Sequence, residues 1–378
     1  MMKNMLDNLA AQQILTALDG QAYFVGGAVR DFLLAAPATD IDMATPLLPE
    51  EVTEKLKSAG CTVVPTGLAF GTVTVIYKKH RVELTTFRQD VRCDGRHAEV
   101  LFGTSMKSDA ARRDFTINAL YMNRDGTLFD FFHGRRDLKK GRVRFIGSPE
   151  ARIQEDTLRV LRFFRFWGRF GRGKPDPAAL KACRAARKKL TKLSLQRRHD
   201  EMIKILAGPR ADVVLRYMAR AGVLKPLIKG PWDFKALRRV IIRERRLGYT
   251  DTPHVVTRLC AFQPQGDPPM WLQHKERRAF MDLRKALAVP DRPRALFLYG
   301  KKAVQQKELM NRPRLTRRSF EDIKKWREPK FPITSGDVIR REKVEGKALS
   351  LAFKRYRETW LDLGCPREKE VVFRALSG

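Results

Sequence analysis

The chain has 378 residues, enough for two or three domains and a substantial core. Its 76 lysines and arginines against 42 aspartates and glutamates leave a net charge of +34, which points to a polyanionic partner, nucleic acid ahead of an acidic membrane. A 43% hydrophobic content speaks against general disorder, no apolar run approaches the roughly 18 residues of a membrane span, and five scattered cysteines without a CxxC pair speak against a disulfide framework or zinc site and fit a reducing compartment.

Residues 1–20 read as a short amphipathic helix. Asp7 and Asp19, and the lack of a secretory apolar core, fit neither a signal nor a transit peptide, so a cytoplasmic location is expected. The apolar run 22–25 ends at Gly26-Gly27, and 28–36 has helical spacing: a strand, a glycine turn and a helix. Residues 41–43 form the next strand candidate, and 49–59 a helix opened by Pro49 and Glu50. Two β-rich runs, 71–77 and 81–87, flank Lys78-Lys79-His80 and predict a hairpin. The polar stretch 89–109, with Gly95 and Gly103, is expected to be a mobile loop, and the i/i+4 spacing within 112–122 suits a helix. From Pro149 onward strands nearly vanish. Helices are predicted over 151–170, 177–190, 196–207, 211–221, 232–247, 269–288 and 316–326, with a loop at 263–269 and a break at 328–332. The order is a mixed head followed by a basic helical remainder.

Four clusters carry chemistry. Gly26-Gly27 lets a backbone approach a phosphate, and Arg30 one turn on can add a charge-assisted bond; an ordinary strand-to-helix turn has the same sequence. Asp40 and Asp42, two apart on a strand, face one way and repel unless cations lie between them. Two Mg²⁺ ions there would activate a hydroxyl nucleophile and stabilise a departing pyrophosphate, whereas a solvated turn or helix caps are the plainer alternative. Glu83 is the candidate third carboxylate, with pairing to Lys78 or Arg81 as its alternative. Asp114 and Asn118, one helical turn apart, can bond a ribose hydroxyl while Arg113 reaches phosphate; a surface ion pair with a capping aspartate fits the same residues. In the segment 155–166, arginines at 159, 162 and 165 recur every third residue, as a solvated basic face also would. Asp156 precedes Arg159 by three, and a carboxylate and a guanidinium on one helix face match the donor–acceptor edge shared by cytosine and adenine.

Together these residues resemble the class II tRNA nucleotidyltransferases, the CCA-adding enzymes of the DNA polymerase β-like superfamily. Gly26 to Asp31 with Asp40-Ile41-Asp42 is similar to the family's GGxVRD…DxD motif, 112–120 to its RRDFTINAL motif, and 155–166 to its EDxxRxxRxxRF amino-acid template. Arg197, Glu201 and Lys204 resemble the following neck motif, and 331–337 the tail. The resemblance implies an α+β fold: a nucleotidyltransferase head with a small mixed sheet (1–147), then an all-helical neck (148–210), body (211–330) and tail (331–378). It implies addition of C, C and A to tRNA lacking part or all of its 3′ end, from CTP and ATP, with Mg²⁺ as cofactor and no obligate protein partner. Asp40 and Asp42 would hold the metals, Gly26, Gly27 and Arg30 the triphosphate, and Arg113, Asp114 and Asn118 the ribose and phosphate. Asp156 and Arg159 would read the base, with Arg162 and Arg165 beside them, and body and tail would grip tRNA. Bacterial poly(A) polymerases share the head and neck motifs; 67–72 and the full-length 89–109 stretch favour the tRNA enzyme. A silent RNA-binding protein would have no use for paired carboxylates against its own polyanion.

Overall fold

A computed structural model describes residues 5–36, 41–93, 98–249, 254–311 and 316–377. The chain divides into two compact units, Met1–Leu227 and Ile228–Gly378.

In the first unit the order is α1 (Leu9–Ala17), β1 (Tyr23–Val25), α2 (Gly27–Leu33), β2 (Asp42–Thr45), α3 (Pro49–Ser58), β3 (Thr62–Gly67), β4 (Thr72–Tyr77) and β5 (His80–Thr86). Next come β6 (Arg88–Cys93), β7 (Ala98–Phe102), α4 (Met106–Ala111), a 3₁₀ turn (Thr116–Asn118), β8 (Leu120–Met122), β9 (Leu128–Asp130) and α5 (Gly134–Lys140). Five helices follow: α6 (Pro149–Glu155), α7 (Arg159–Phe170), α8 (Pro177–Ala186), α9 (Leu195–Ala207) and α10 (Ala211–Arg220). Seven strands form one mixed sheet in the order β3-β4-β5-β2-β1-β8-β9, in which only β2 and β5 run parallel. One face packs Phe24, Met43, Val73, Val75 and Leu84 beneath Ile14 of α1 and Val52 and Leu56 of α3. The other face buries Val25, Ala44, Phe87, Ala119 and Tyr121. The predicted hairpin turns at Lys78 and Lys79, with φ of 46° and 68°, the pair of positive angles that matches the twist of tight hairpins.

Three expectations are corrected. Much of the stretch expected to be a mobile loop is paired backbone: β6 and β7 form their own antiparallel ribbon. Its root is held where Arg88 Nη1 donates to the Phe70 carbonyl and the Phe102 ring fills the space above Gly71. The helix expected over 112–122 is instead a 3₁₀ turn feeding β8. Phe115 and Phe145 form a β-bridge, and Phe115 is fully buried, so tertiary pairing overrides the local spacing. The helix expected to run continuously through 151–170 breaks at Asp156, whose extended backbone (φ −148°, ψ 108°) separates α6 from α7.

The second unit contains α11 (Phe234–Arg246), α12 (Val255–Phe262), α13 (His274–Ala288), α14 (Arg292–Asn311, interrupted at Gly300), α15 (Arg317–Lys325), α16 (Ser335–Glu342), α17 (Gly346–Asp362) and α18 (Lys369–Ala375). Val338, Tyr356, Trp360 and Val372 make its C-terminal core. Among the described residues no helix is long and apolar enough to cross a membrane.

Candidate active site

The antiparallel register of β1 with β2 (Phe24 opposite Met43) brings the end of β1, and the glycine turn after it, beside Asp42. Gly26 has φ +66°, a region that favours glycine. An added Cβ there would stand 3.3 Å from Arg113 Nη1 and 3.5 Å from the Asn118 carbonyl, so the missing side chain is what admits the Arg113 guanidinium. Gly27 opens α2.

Asp42 is half-buried at the start of β2, and Asp40 lies outside the described residues. Glu83 is in register with Asp42 on β5. Met43 and Leu84, the next pair, both point into the core, so Asp42 and Glu83 project together from the opposite face, the one carrying Ala44 and Tyr121. The exposed Glu83 carboxylate accepts from Arg81 at 2.9 Å. Two neighbouring carboxylates at the end of the sheet are hard oxygen donors of the kind a divalent cation prefers, and they fit such an ion. Among the described residues no cluster of three His, Cys, Asp or Glu is preformed for one.

Around this edge the arginines are all tethered. Arg30 is buried; its Nε and Nη2 reach Asp31 Oδ1 at 2.9 and 2.8 Å, and its Nη1 donates to Asn118 Oδ1 at 2.6 Å. Burial pulls its guanidinium below the ordinary value despite Asp31. Asn118 Nδ2 donates to Asp114 Oδ1 (3.1 Å), which also accepts the Phe115 N–H (2.9 Å), while Asp114 Oδ2 accepts Arg162 Nε at 2.6 Å. Burial would push the Asp114 carboxyl up, but the charge of Arg162 and these bonds outweigh it and hold it low. The pair expected to meet a ribose is therefore assembled, with Asn118 on the 3₁₀ turn and Asp114 just before it in place of one helix.

Arg113 donates to the Tyr121 hydroxyl (3.0 Å) and to Asp109 Oδ2 (3.1 Å). Asp109 is fully buried; it also accepts from Arg112 Nε, the Tyr121 hydroxyl and the Arg88 N–H at the root of the β6–β7 ribbon. Burial works to raise its carboxyl, but Arg113 and Arg112 keep it below the usual range. Burial would likewise lower Arg113, and Tyr121 and Asp109 reverse the sign.

Asp156 and Arg159 do not share a helix face. The Asp156 carboxylate caps the Leu158 N–H (3.0 Å) and pairs with Arg197 of α9 at 2.7 Å. Arg159 opens α7 and donates to Glu155, to the Arg152 carbonyl (3.0 Å) and to the Arg112 carbonyl (3.2 Å). Arg152 in turn donates to Glu155 and to the Arg112 and Arg113 carbonyls, which fixes α6 to the turn after α4. Arg165 Nε bonds Glu201 Oε2 at 2.7 Å. Asp109, Tyr121 and Arg152 are anchors that sequence reasoning missed. The spacing of Asp109 three and four residues before Arg112 and Arg113 was the available signal for the first.

Residues 22–144 match the family described as poly A polymerase head domain, and 174–234 the one described as probable RNA and SrmB-binding site of polymerase A. The zebrafish (Danio rerio) CCA tRNA nucleotidyltransferase 1, mitochondrial, is 32% identical over 374 residues, covering 93% of this chain and 86% of that protein. The Homo sapiens protein of the same name is 33% identical over 376 residues, covering 91% and 84%. The crystal structure of the Bacillus stearothermophilus CCA-adding enzyme in complex with CTP superposes with a TM-score of 0.75 at 26% identity, covering 97% of this chain and 96% of that one.

Proposed function

The chain belongs to the class II CCA-adding tRNA nucleotidyltransferases, and from that premise we propose how its residues divide the work. It adds C, C and A to the 3′ end of tRNA from CTP and ATP without a nucleic-acid template, releasing pyrophosphate at each step. The head family takes its description from poly(A) polymerases, but the similarity that runs over 93% of the chain is to a CCA enzyme. The family depends on a divalent metal; Asp40 and Asp42 would hold Mg²⁺, with Glu83 the candidate third ligand. When bound, the metal supplies activation of the tRNA hydroxyl and charge neutralisation on the leaving pyrophosphate.

The observation that carries the residue assignment is a pair of side-chain networks in the first unit that meet at the glycine turn. One runs from the glycine turn through Arg113, and the other from Arg30 through Asn118 and Asp114 to Arg162. Gly26, Gly27 and Arg113 line the triphosphate side. Asp114 and Asn118 face the ribose, and Arg30 belongs to the pocket through Asn118. Asp156 and Arg159 present the base-reading edge once Arg197 and the Arg112 carbonyl give way, with Arg162 and Arg165 beside them. The neck (148–210) carries the nucleotide-selecting residues, and body and tail (211–330, 331–378) hold the tRNA through phosphate contacts, consistent with the +34 charge. A cytoplasmic location is part of the same proposal, supported by four free thiols among the described residues. The test offers one nucleotide at a time. CTP alone should extend a tRNA lacking its end by two residues, and ATP alone should extend a tRNA ending in CC by one; a long A tract would contradict the reading.

A further inference from the structure

The hydrogen-bonded chain from Arg30 through Asn118 and Asp114 ends at Arg162, which it holds through one nitrogen, and one ring lies against that end. Phe166, one turn beyond Arg162 on α7, has its ring centroid 5.3 Å from the Arg162 guanidinium carbon and 5.4 Å from that of Arg30. Arg165 lies nearer still, at 4.2 Å. The ring is 6% exposed, so these attractions act with little competition from water. Phe115 abuts it edge-on at 5.4 Å and Phe170 stacks at 6.0 Å, and Phe170 meets Arg30 at 4.3 Å.

The carboxylates do not fix the Arg162 and Arg165 guanidiniums by themselves. Asp114 holds Arg162 within hydrogen-bond distance only through Nε, and Glu201 holds Arg165 only through Nε; the second Arg162–Glu201 approach is 4.0 Å. A one-point bond leaves the guanidinium plane free to turn, unlike a two-pronged one. A ring face beneath it removes that freedom.

We propose that Phe166 is a positioning residue for nucleotide binding. Its ring sets the planes of Arg162 and Arg165, and through Asp114 and Asn118 it sets the groups that meet the ribose. The inference rests on the nucleotidyl-transfer reading above. Phe166→Leu keeps apolar bulk and removes the ring. It should raise the KM for CTP on tRNA lacking its end, and for ATP on tRNA ending in CC, by about three- to tenfold, with a smaller change in kcat. Phe166→Tyr, which restores a ring, should stay within about twofold of wild type. Mono-, di- and trifluorophenylalanine at position 166 keep the ring's shape while weakening its negative face, so the KM should climb with each fluorine. This series decides the matter if the leucine variant does not fold. An unchanged KM in Phe166→Leu, or a flat fluorine series, overturns the proposal and leaves the carboxylates as the sole positioning groups. A wild-type chain that incorporates neither nucleotide overturns the underlying reading, so the two failures are separable.

Discussion

Asp114→Ala removes the centre of the site network. The carboxylate is 8% exposed and accepts three bonds, from the Phe115 N–H, Asn118 and Arg162. Its loss leaves a buried amide N–H and a side-chain amide without an acceptor, and strips Arg162 of its 2.6 Å partner. Breaking a buried pair costs about 3–5 kcal/mol, and bonds to a charged group about 1.5–3 each. Because Arg162 is 32% exposed, water recovers part of this, and about 2–4 kcal/mol is expected. For a unit of this size that lowers the melting temperature by about 5–12 °C. Thermal and urea unfolding of the full chain should show it in the transition of the first unit, alongside reduced incorporation. The pH dependence carries a second signature. The Asp114 carboxyl is depressed in the fold, so its contribution is complete above the usual carboxylate range, about pH 4, and is lost as pH falls through the depressed value. The gap between wild type and Asp114→Asn should therefore narrow in acid. A variant within about 0.5 kcal/mol of wild type at pH 7, with a parallel acid profile, would refute the reasoning.

Asp42→Ala should abolish nucleotide incorporation while tRNA binding, measured by filter retention, survives; retained turnover would remove the metal assignment. Gly26→Ala forces a side chain into φ +66°, ψ −117°, costing about 1–3 kcal/mol, and sets a methyl 3.3 Å from Arg113 Nη1. Incorporation should fall by about tenfold or more, and wild-type kinetics would show that Arg113 is not placed by the glycine. Asp156→Ala should lower the preference for CTP and ATP over UTP and GTP by about ten- to a hundredfold in competition assays, and unchanged selectivity would sink the base-reading role.

What the sequence disclosed depended on how local the cause was. The strand, glycine turn and helix at the phosphate side were legible because an apolar run, two glycines and helical spacing stand next to one another, and the lysine turn declared its hairpin equally well. The 112–122 segment misled because Asn118 reaches back to Asp114, four residues earlier, as it would in a helix, although Phe115 between them is extended and only 116–118 form a 3₁₀ turn. What decides between the two is burial of Phe115 against Phe145, a partner thirty residues away. The break at Asp156 was hidden because that residue caps the Leu158 N–H and takes its ion pair from Arg197, on the third helix after it. Strand β3 was missed because Pro65 and its polar neighbours mark an edge, where alternation is weak. The arginine periodicity in α7 was plain. That Phe166 gathers Arg162 and Arg165, with Arg30 from α2, around one ring could be read only from three dimensions.

The most direct measurement is the 3′-terminal sequence of a tRNA lacking its end after incubation with this protein, Mg²⁺, CTP and ATP together. Addition of C, C and A followed by arrest is the predicted product. Runs of A, arrest after CC, or an unextended tRNA would contradict the account.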